Sequence, residues 1–168
     1  MKGMNMKKII CILLSILTLF TFVSCGGGEA DTDAKKYVFV SGNVTVKLDD
    51  PAEPILSALG EPRQYSESPS CAFDGLDKVY VYAGFKLQTY PQNGKDFILS
   101  VELTDDSVAT PEGISIGAGK DQVITAYGTP DSETDTSLTY KSDASKITLQ
   151  FLLRDGKVTN IQYQKVTE

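Results

Sequence analysis

The chain has 168 residues, with 16 basic and 22 acidic side chains, no His, no Trp and three Cys. All three Met and three of the Lys fall in the first 24 residues, which hold no acid, so the remaining 144 carry 13 basic against 22 acidic groups, a net charge of −9. A surface that acidic, with no basic stripe, repels a polyphosphate backbone and excludes nucleic-acid binding as a main role, while the lack of His removes the usual general base at neutral pH and the commonest transition-metal ligand.

In chain order, Lys2, Lys7 and Lys8 form a positive start, and the fifteen residues from Ile9 to Val23 are mostly apolar but too short to span a bilayer comfortably. Phe22-Val23-Ser24-Cys25 follows. It resembles the lipobox of bacterial lipoproteins, with Phe22 standing where Leu, Val or Ile is usual. That resemblance implies a signal peptide over 1–24 and a lipidated Cys25 as the mature N-terminus, its acyl chains (palmitate among them) holding the protein to the outer side of the cell membrane. Two chains anchor firmly where one does not. Residues 25–36 contain no large apolar side chain and read as a flexible tether, leaving a globular domain over 37–168.

With Cys11 in the signal and Cys25 lipidated, Cys71 is the remaining thiol. Its neighbours, Pro69-Ser70-Cys71-Ala72-Phe73, are small and apolar, and no His is present to activate it, so burial is expected.

Alternation predicts an opening hairpin from Tyr37–Val40 and Asn43–Leu48, divided by Ser41-Gly42. A short helix follows, with Asp50 as cap, Pro51 in its first position and Glu53 completing a capping box, and it stops at Gly60 before Pro62. Strands are expected at Cys71–Phe73, Lys78–Ala83, Phe85–Tyr90 and Phe97–Leu103, the last two joined by an Asn93-Gly94 turn. Further on come a strand at Ile114–Ile116, a helix stopped by Gly128 and Pro130, and strands at Ser137–Lys141, Lys146–Arg154 and Lys157–Lys165, with Asp155-Gly156 as the last hairpin turn.

The second series repeats the first. Thr45–Pro62 aligns without a gap on Gly113–Pro130, pairing Ile55 with Val123, Ala58 with Ala126, Gly60 with Gly128 and Pro62 with Pro130. The match resumes with Leu87 and Gln88 on Leu149 and Gln150, and Gly94-Lys95 on Gly156-Lys157. Two copies are thus expected, at about 43–104 and 112–165. The fold class is α+β, the short helices covering one face of a twisted antiparallel sheet.

A helix such as GAGKDQVITAYGTP (117–130), ending in Gly-x-Pro, flanked by strands and repeated behind a lipobox, resembles the beta-lactamase-inhibitor-protein-like fold. The same helix is similar to that of the small lipoprotein of the outer-membrane barrel-assembly machine. The fuller pattern, with PSCAFDGLDKVYVYAGFKLQTYP in the first copy, resembles a group of uncharacterised lipoproteins from gut clostridia. The resemblance implies protein binding and carries over no catalytic residue.

Chemical motifs are absent. Gly117-Ala118-Gly119-Lys120 lies where a phosphate loop would, but a dinucleotide fingerprint needs Gly at the position of Gln122, and a Walker loop needs Gly and Ser or Thr where Ile114 and Asp121 stand. No Ser is followed three residues later by Lys. The acidic runs Asp131, Glu133, Asp135 and Asp105-Asp106 lack a calcium loop's spacing and read as solvated loops. No cofactor is expected, and no enzyme.

Binding is expected instead on an aromatic sheet face. Alternation in Lys78-Val79-Tyr80-Val81-Tyr82 sends the two Val to one side and the two Tyr to the other; with the Val packed inward, Tyr80 and Tyr82 face solvent. The neighbouring strands would then expose Lys86, Gln88 and Tyr90, and Ser100 and Glu102, while burying Phe97, Leu99 and Val101. Tyrosine suits protein or glycan contact because it offers wide, stiff, amphipathic area. The expected role is a non-catalytic protein-binding lipoprotein, its partner an envelope protein or glycan. The alternatives are an inhibitor that inserts the Asp74-Gly75-Leu76-Asp77 loop into an envelope enzyme, and a structural assembly factor.

Overall fold

The computed structural model describes residues 37–166. The expected signal peptide, the expected lipidation site at Cys25 and the expected tether lie outside the described residues. Among those described, no helix is long and apolar enough to cross a membrane.

Over the described residues the fold is α+β with one large antiparallel sheet and two short helices. In chain order the elements are β1 (Phe39–Ser41), β2 (Val44–Val46), α1 (Ala52–Leu59), β3 (Gln64–Pro69), β4 (Leu76–Val81), β5 (Phe85–Gln92) and β6 (Lys95–Leu103), then α2 (Lys120–Tyr127), β7 (Ser132–Glu133), β8 (Ser137–Ser142), β9 (Ile147–Arg154) and β10 (Lys157–Lys165). β1 and β2 pair as a separate hairpin, and the others form an eight-stranded sheet in the order β3-β4-β5-β6-β10-β9-β8-β7. Consecutive strands pair across hairpins, and the two runs meet where β6 lies against β10.

One face of this sheet is the core. Its register sets Tyr80 opposite Leu87, Leu87 opposite Val101, Val101 opposite Tyr163, Tyr163 opposite Leu149 and Leu149 opposite Tyr140. All except Tyr80 are essentially sealed from solvent. Ala52 and Ile55 of α1 and Val123 and Tyr127 of α2 belong to the same buried cluster, as do Phe39 and Val46 of the small hairpin. The Phe39 ring lies 4.8 Å from that of Phe85, and the Tyr37 hydroxyl donates to the carbonyl of Lys141 at 2.8 Å, so the first described residues are tied across the sheet.

Backbone bonds, rather than side-chain caps, set where the helices begin. Asp49 N–H donates to Ile98 O and Ile98 N–H donates to Asp50 O, so the segment before α1 runs beside β6, and the helix starts at Ala52 after an uncapped Pro51. The expected Asp50 cap is therefore not formed. Before α2, Gly117 N–H donates to Val158 O and Val158 N–H to Ala118 O, while the Gln122 side chain accepts the Gly119 N–H at 2.7 Å. Both helices end on a glycine whose backbone lies in a region open almost only to glycine, Gly60 at φ 77°, ψ −162° and Gly128 at φ 81°, ψ −160°.

Two expected strands are absent, and β3 and β7 are present without having been expected. Cys71–Phe73 is a loop, and Cys71 is exposed instead of buried. The strand that precedes the loop, β3, was not expected, because Gln-Tyr-Ser-Glu-Ser-Pro is exposed along its whole length and has no apolar alternation. Ile114–Ile116 forms no strand: Val46, with which Ile114 aligns in sequence, pairs with β1, whereas Ile114 sits in a turn held by Thr110, whose Oγ1 accepts the Ile114 N–H at 3.2 Å.

Candidate functional site

The expected aromatic face is reversed by the register. Because Tyr80 stands opposite Leu87 and Val81 opposite Lys86, Tyr80 in β4 points to the core side, as does Tyr82 just after the strand, and Val79 and Val81 point to the other. Tyr82 is 8 % exposed, stacked on Phe85 at 5.0 Å, with its hydroxyl 3.4 Å from the carbonyl of Gly60. Tyr80 is half-buried beside the exposed Tyr65, ring centroids 5.1 Å apart. Val and Tyr alternate equally well in either direction. What selects this one is that a tyrosine at the core margin buries a large ring while its hydroxyl finds an acceptor.

Alternation puts Tyr90 on the side of Lys86 and Gln88, yet only 1 % of it is exposed. The Phe73 ring from the β3–β4 loop covers it at 4.6 Å, and its hydroxyl donates to Asp49. In β6 a register shift opposite Gln88 and Thr89 changes the alternation, so Ile98, Val101 and Leu103 are buried, Phe97 and Leu99 are half-buried and Ser100 is 5 % exposed.

What remains open is a polar face. One row crosses Gln64, Val81, Lys86, Glu102, Gln162, Gln150 and Thr139. The next crosses Ser66, Val79, Gln88, Ser100, Gln164, Thr148 and Lys141. Lys86 pairs with Glu102 at 2.8 Å, and Glu102 also accepts from the Asn160 amide at 2.9 Å. Gln162 donates to Gln164 at 3.3 Å. Lys86, Gln88 and Glu102 are thus half-exposed neighbours, as expected, but in company with amides rather than tyrosines. The signal for those amides was present in Ile161-Gln162-Tyr163-Gln164, whose alternation gives β10 one apolar and one amide edge.

The remaining candidates have structural uses. Gly117 and Lys120 spend their N–H groups on the carbonyls of Val158 and Gly156, so that turn offers no cradle for a phosphate. Asp131 accepts the Lys141 N–H at 2.7 Å, and Glu133 pairs with Lys120 at 2.5 Å. Among the described residues no group of three or more Cys, Asp or Glu is placed to hold a metal ion. Burial pushes the Tyr127 phenol far up, helped by Tyr163 and by its hydrogen bond to Glu112, and burial likewise raises Tyr163. Neither ionises near neutral pH. The Asp74 loop is fastened down: Ser70 N–H donates to Gly75 O, Ser70 Oγ accepts the Phe73 N–H, and a Cβ on Gly75 would come within 2.9 Å of Pro91. Leu76 and Asp77 belong to β4.

No family model matches the chain, and no curated protein matches it in sequence. Two solved structures are similar. One is an extracellular protein containing an SCP domain from Bacillus anthracis, 15 % identical, with a TM-score of 0.40 over 76 % of this chain; the chain spans half the length of that protein. The other is a DUF4309 family protein, YjgB, from Bacillus subtilis, 14 % identical, with a TM-score of 0.45 over 80 % of this chain and 92 % of that one.

Proposed function

We propose that the protein is a membrane-anchored extracytoplasmic lipoprotein whose domain is a non-catalytic protein-binding module, made of two copies of one unit with the helices closing one sheet face and the other face free for recognition. The observation that carries this is the polar face itself, where Lys86, Gln88 and Glu102 lie beside Gln150, Gln162 and Gln164, all six half-exposed. A flat face of amides and one ion pair suits a partner recognised by many hydrogen bonds rather than by an aromatic hot spot.

Three features support the two-copy reading. The strand order runs outward in the same sequence from the central pair, the terminating glycines share one backbone conformation, and Tyr82 donates to Gly60 O as Tyr140 donates to Gly128 O. The anchoring part rests on the sequence of residues 1–25. Radiolabelled palmitate should enter the protein and fail to enter Cys25→Ala, which should also leave the membrane fraction; unchanged location of that variant refutes the anchor.

Cross-linking at the intact cell surface, followed by mass spectrometry, identifies the partner. The double variant Lys86→Ala, Glu102→Ala should then lose capture of that partner while keeping its circular dichroism. Full capture by this variant would move recognition off the open face. The inhibitor alternative needs a finger that can enter an active site, and the fastened Asp74 loop gives it little support.

A further inference from the structure

Among the described residues, four other than glycine adopt positive φ: Asp49 at 70°, Asn93 at 51°, Lys146 at 54° and Asp155 at 51°. Asn93 and Asp155 precede glycines in hairpin turns that call for that conformation. Lys146 closes the four-residue hairpin loop between Ser142 and Ile147, whereas Asp49 has no hairpin motive and glycine would serve its position at lower cost; indeed the residue aligned with Asp49 in the second copy is Gly117. They are far apart in sequence, yet both line one cavity of about 420 Å³. An unfavourable backbone conformation at a charged residue that lines a cavity, as at Asp49, is a mark of a ligand clamp.

The other groups of the cavity fit that reading. Asp49 is fixed by the Tyr90 hydroxyl and by Lys165 at 2.7 Å, both contacts falling on Oδ1, which leaves Oδ2 as an acceptor. Asp49 and Lys165 neutralise each other. Lys146 makes no ion pair among the described residues, so the cavity keeps one uncompensated positive charge. Gln92 and Ser145 add neutral hydrogen-bonding groups, and Phe73, half-buried on Tyr90, adds an aromatic surface. Few convergent polar groups beside an apolar wall, in a space of this size, are the usual make-up of a small-molecule site.

We propose that this cavity binds an acidic monosaccharide, with its carboxylate on Lys146, its hydroxyls on Asp49 Oδ2, Gln92 and Ser145, and its C–H face against Phe73. One carboxylate answers Lys146, the cavity's cation without an ion pair among the described residues, the hydroxyls answer a carboxylate and two neutral polar groups, and the amphipathic ring answers the aromatic wall. This site is separate from the open sheet face, so the Lys86→Ala, Glu102→Ala variant should bind the sugar as the parent does.

The test titrates the full-length protein calorimetrically with glucuronate, with glucose and with acetate, and melts each variant. Saturable single-site binding of glucuronate is expected, with no binding of glucose or acetate at the same concentrations. Lys146→Gly, which relieves the backbone while deleting the cation, should weaken glucuronate about tenfold, the loss of one charge-assisted hydrogen bond, with no fall in Tm. Gln92→Ala should weaken it less. The proposal is overturned if glucuronate gives no saturable heat, if acetate or glucose binds equally well, if Lys146→Gly binds glucuronate unchanged, or if that variant melts lower, which would give Lys146 a structural purpose.

Discussion

Tyr82→Ala separates a packed aromatic ring from a recognition residue. The ring is 8 % exposed, stacked on Phe85 with an interplanar angle of 17°, and belongs to the continuous buried cluster. Truncating a buried aromatic to Ala costs about 3–5 kcal/mol, part of it lost transfer energy and part the cavity left behind. Tyr82 sits at the margin of the core, next to a surface cleft shared with Ser41, Leu59 and Arg63, where water can enter the space. The lower end, about 3 kcal/mol, therefore applies, and for a domain of this size it lowers Tm by about 10 °C. Tyr82→Phe removes only the hydroxyl, whose 3.4 Å distance to Gly60 O is near the limit for a hydrogen bond. It should cost no more than about 0.5 kcal/mol.

Urea unfolding followed by far-ultraviolet circular dichroism measures both, and it needs no tryptophan, which the chain lacks. The midpoint should fall for Tyr82→Ala with little change in slope, since a packing loss alters stability rather than the area exposed on unfolding. A cost below about 1 kcal/mol would be the mark of a solvent-facing side chain, contradict the register of β4 on β5, and return the ring to the list of recognition residues.

The helix-ending glycines make a paired prediction. A Cβ at Gly60 or Gly128 meets nothing within 4 Å, so Gly60→Ala and Gly128→Ala should each cost about 1–3 kcal/mol through backbone strain alone, and by similar amounts; one costly and one silent variant would end the equivalence of the two helix termini. A pH series tests Asp49. Burial acts to raise its pKa, but the hydrogen bonds of Lys165 and Tyr90 and the charge of Lys165 outweigh it, leaving the value below the usual one. The folded form thus holds its proton less readily, so this contribution is complete above the unfolded value near 4 and disappears as pH falls through the lower folded value. Asp49 is half-exposed, so the contribution is at most about 1 kcal/mol. Asp49→Asn should be less stable than the parent at neutral pH and converge on it in acid; parallel curves would refute the linkage. Lys165 is displaced in the opposite sense: burial works to lower its pKa, but Asp49 and Tyr90 prevail and raise it. Its part of the stability is whole below the usual lysine range and fades only as pH climbs through the raised value.

Local chemistry was legible in the sequence where the chain turns or stops. The positive φ of Asn93, Gly94, Asp155 and Gly156 and the glycine ends of both helices follow from residues that tolerate those backbones, and β5, β9 and β10 follow from apolar alternation. Direction was not legible in β4. Val-Tyr alternation marks two faces but does not say which is inside, and pairing with Leu87 decides it. β3 was invisible because a strand exposed on both faces is held by its ladder to β4 alone and leaves no apolar period. The Ile114–Ile116 error has the opposite cause: the period is there, but no strand lies beside it to complete a ladder. The cavity around Asp49 and Lys146 was out of reach, since positive φ at a lysine carries no sequence mark and its lining comes from five separate stretches of chain.

On the two-copy reading, features that recur in both halves answer the needs of the unit, and features confined to one half are where a specific task can have been added. The glycine stops, the Tyr82 and Tyr140 bonds to them and the Asn-Gly and Asp-Gly turns recur. Three things do not. β3 has six residues where β7 has two, the loop that carries Phe73 follows the longer strand alone, and Asp49 stands where the second copy has Gly117. These departures meet at one place, because Phe73 covers Tyr90 and Tyr90 holds Asp49. A unit that needed only to be stable could have kept glycine at position 49 and a short turn after α1. The added loop and carboxylate instead build one wall of the cavity through Phe73 and Asp49, and that is where substitutions should change binding at the proposed site with the least effect on the sheet.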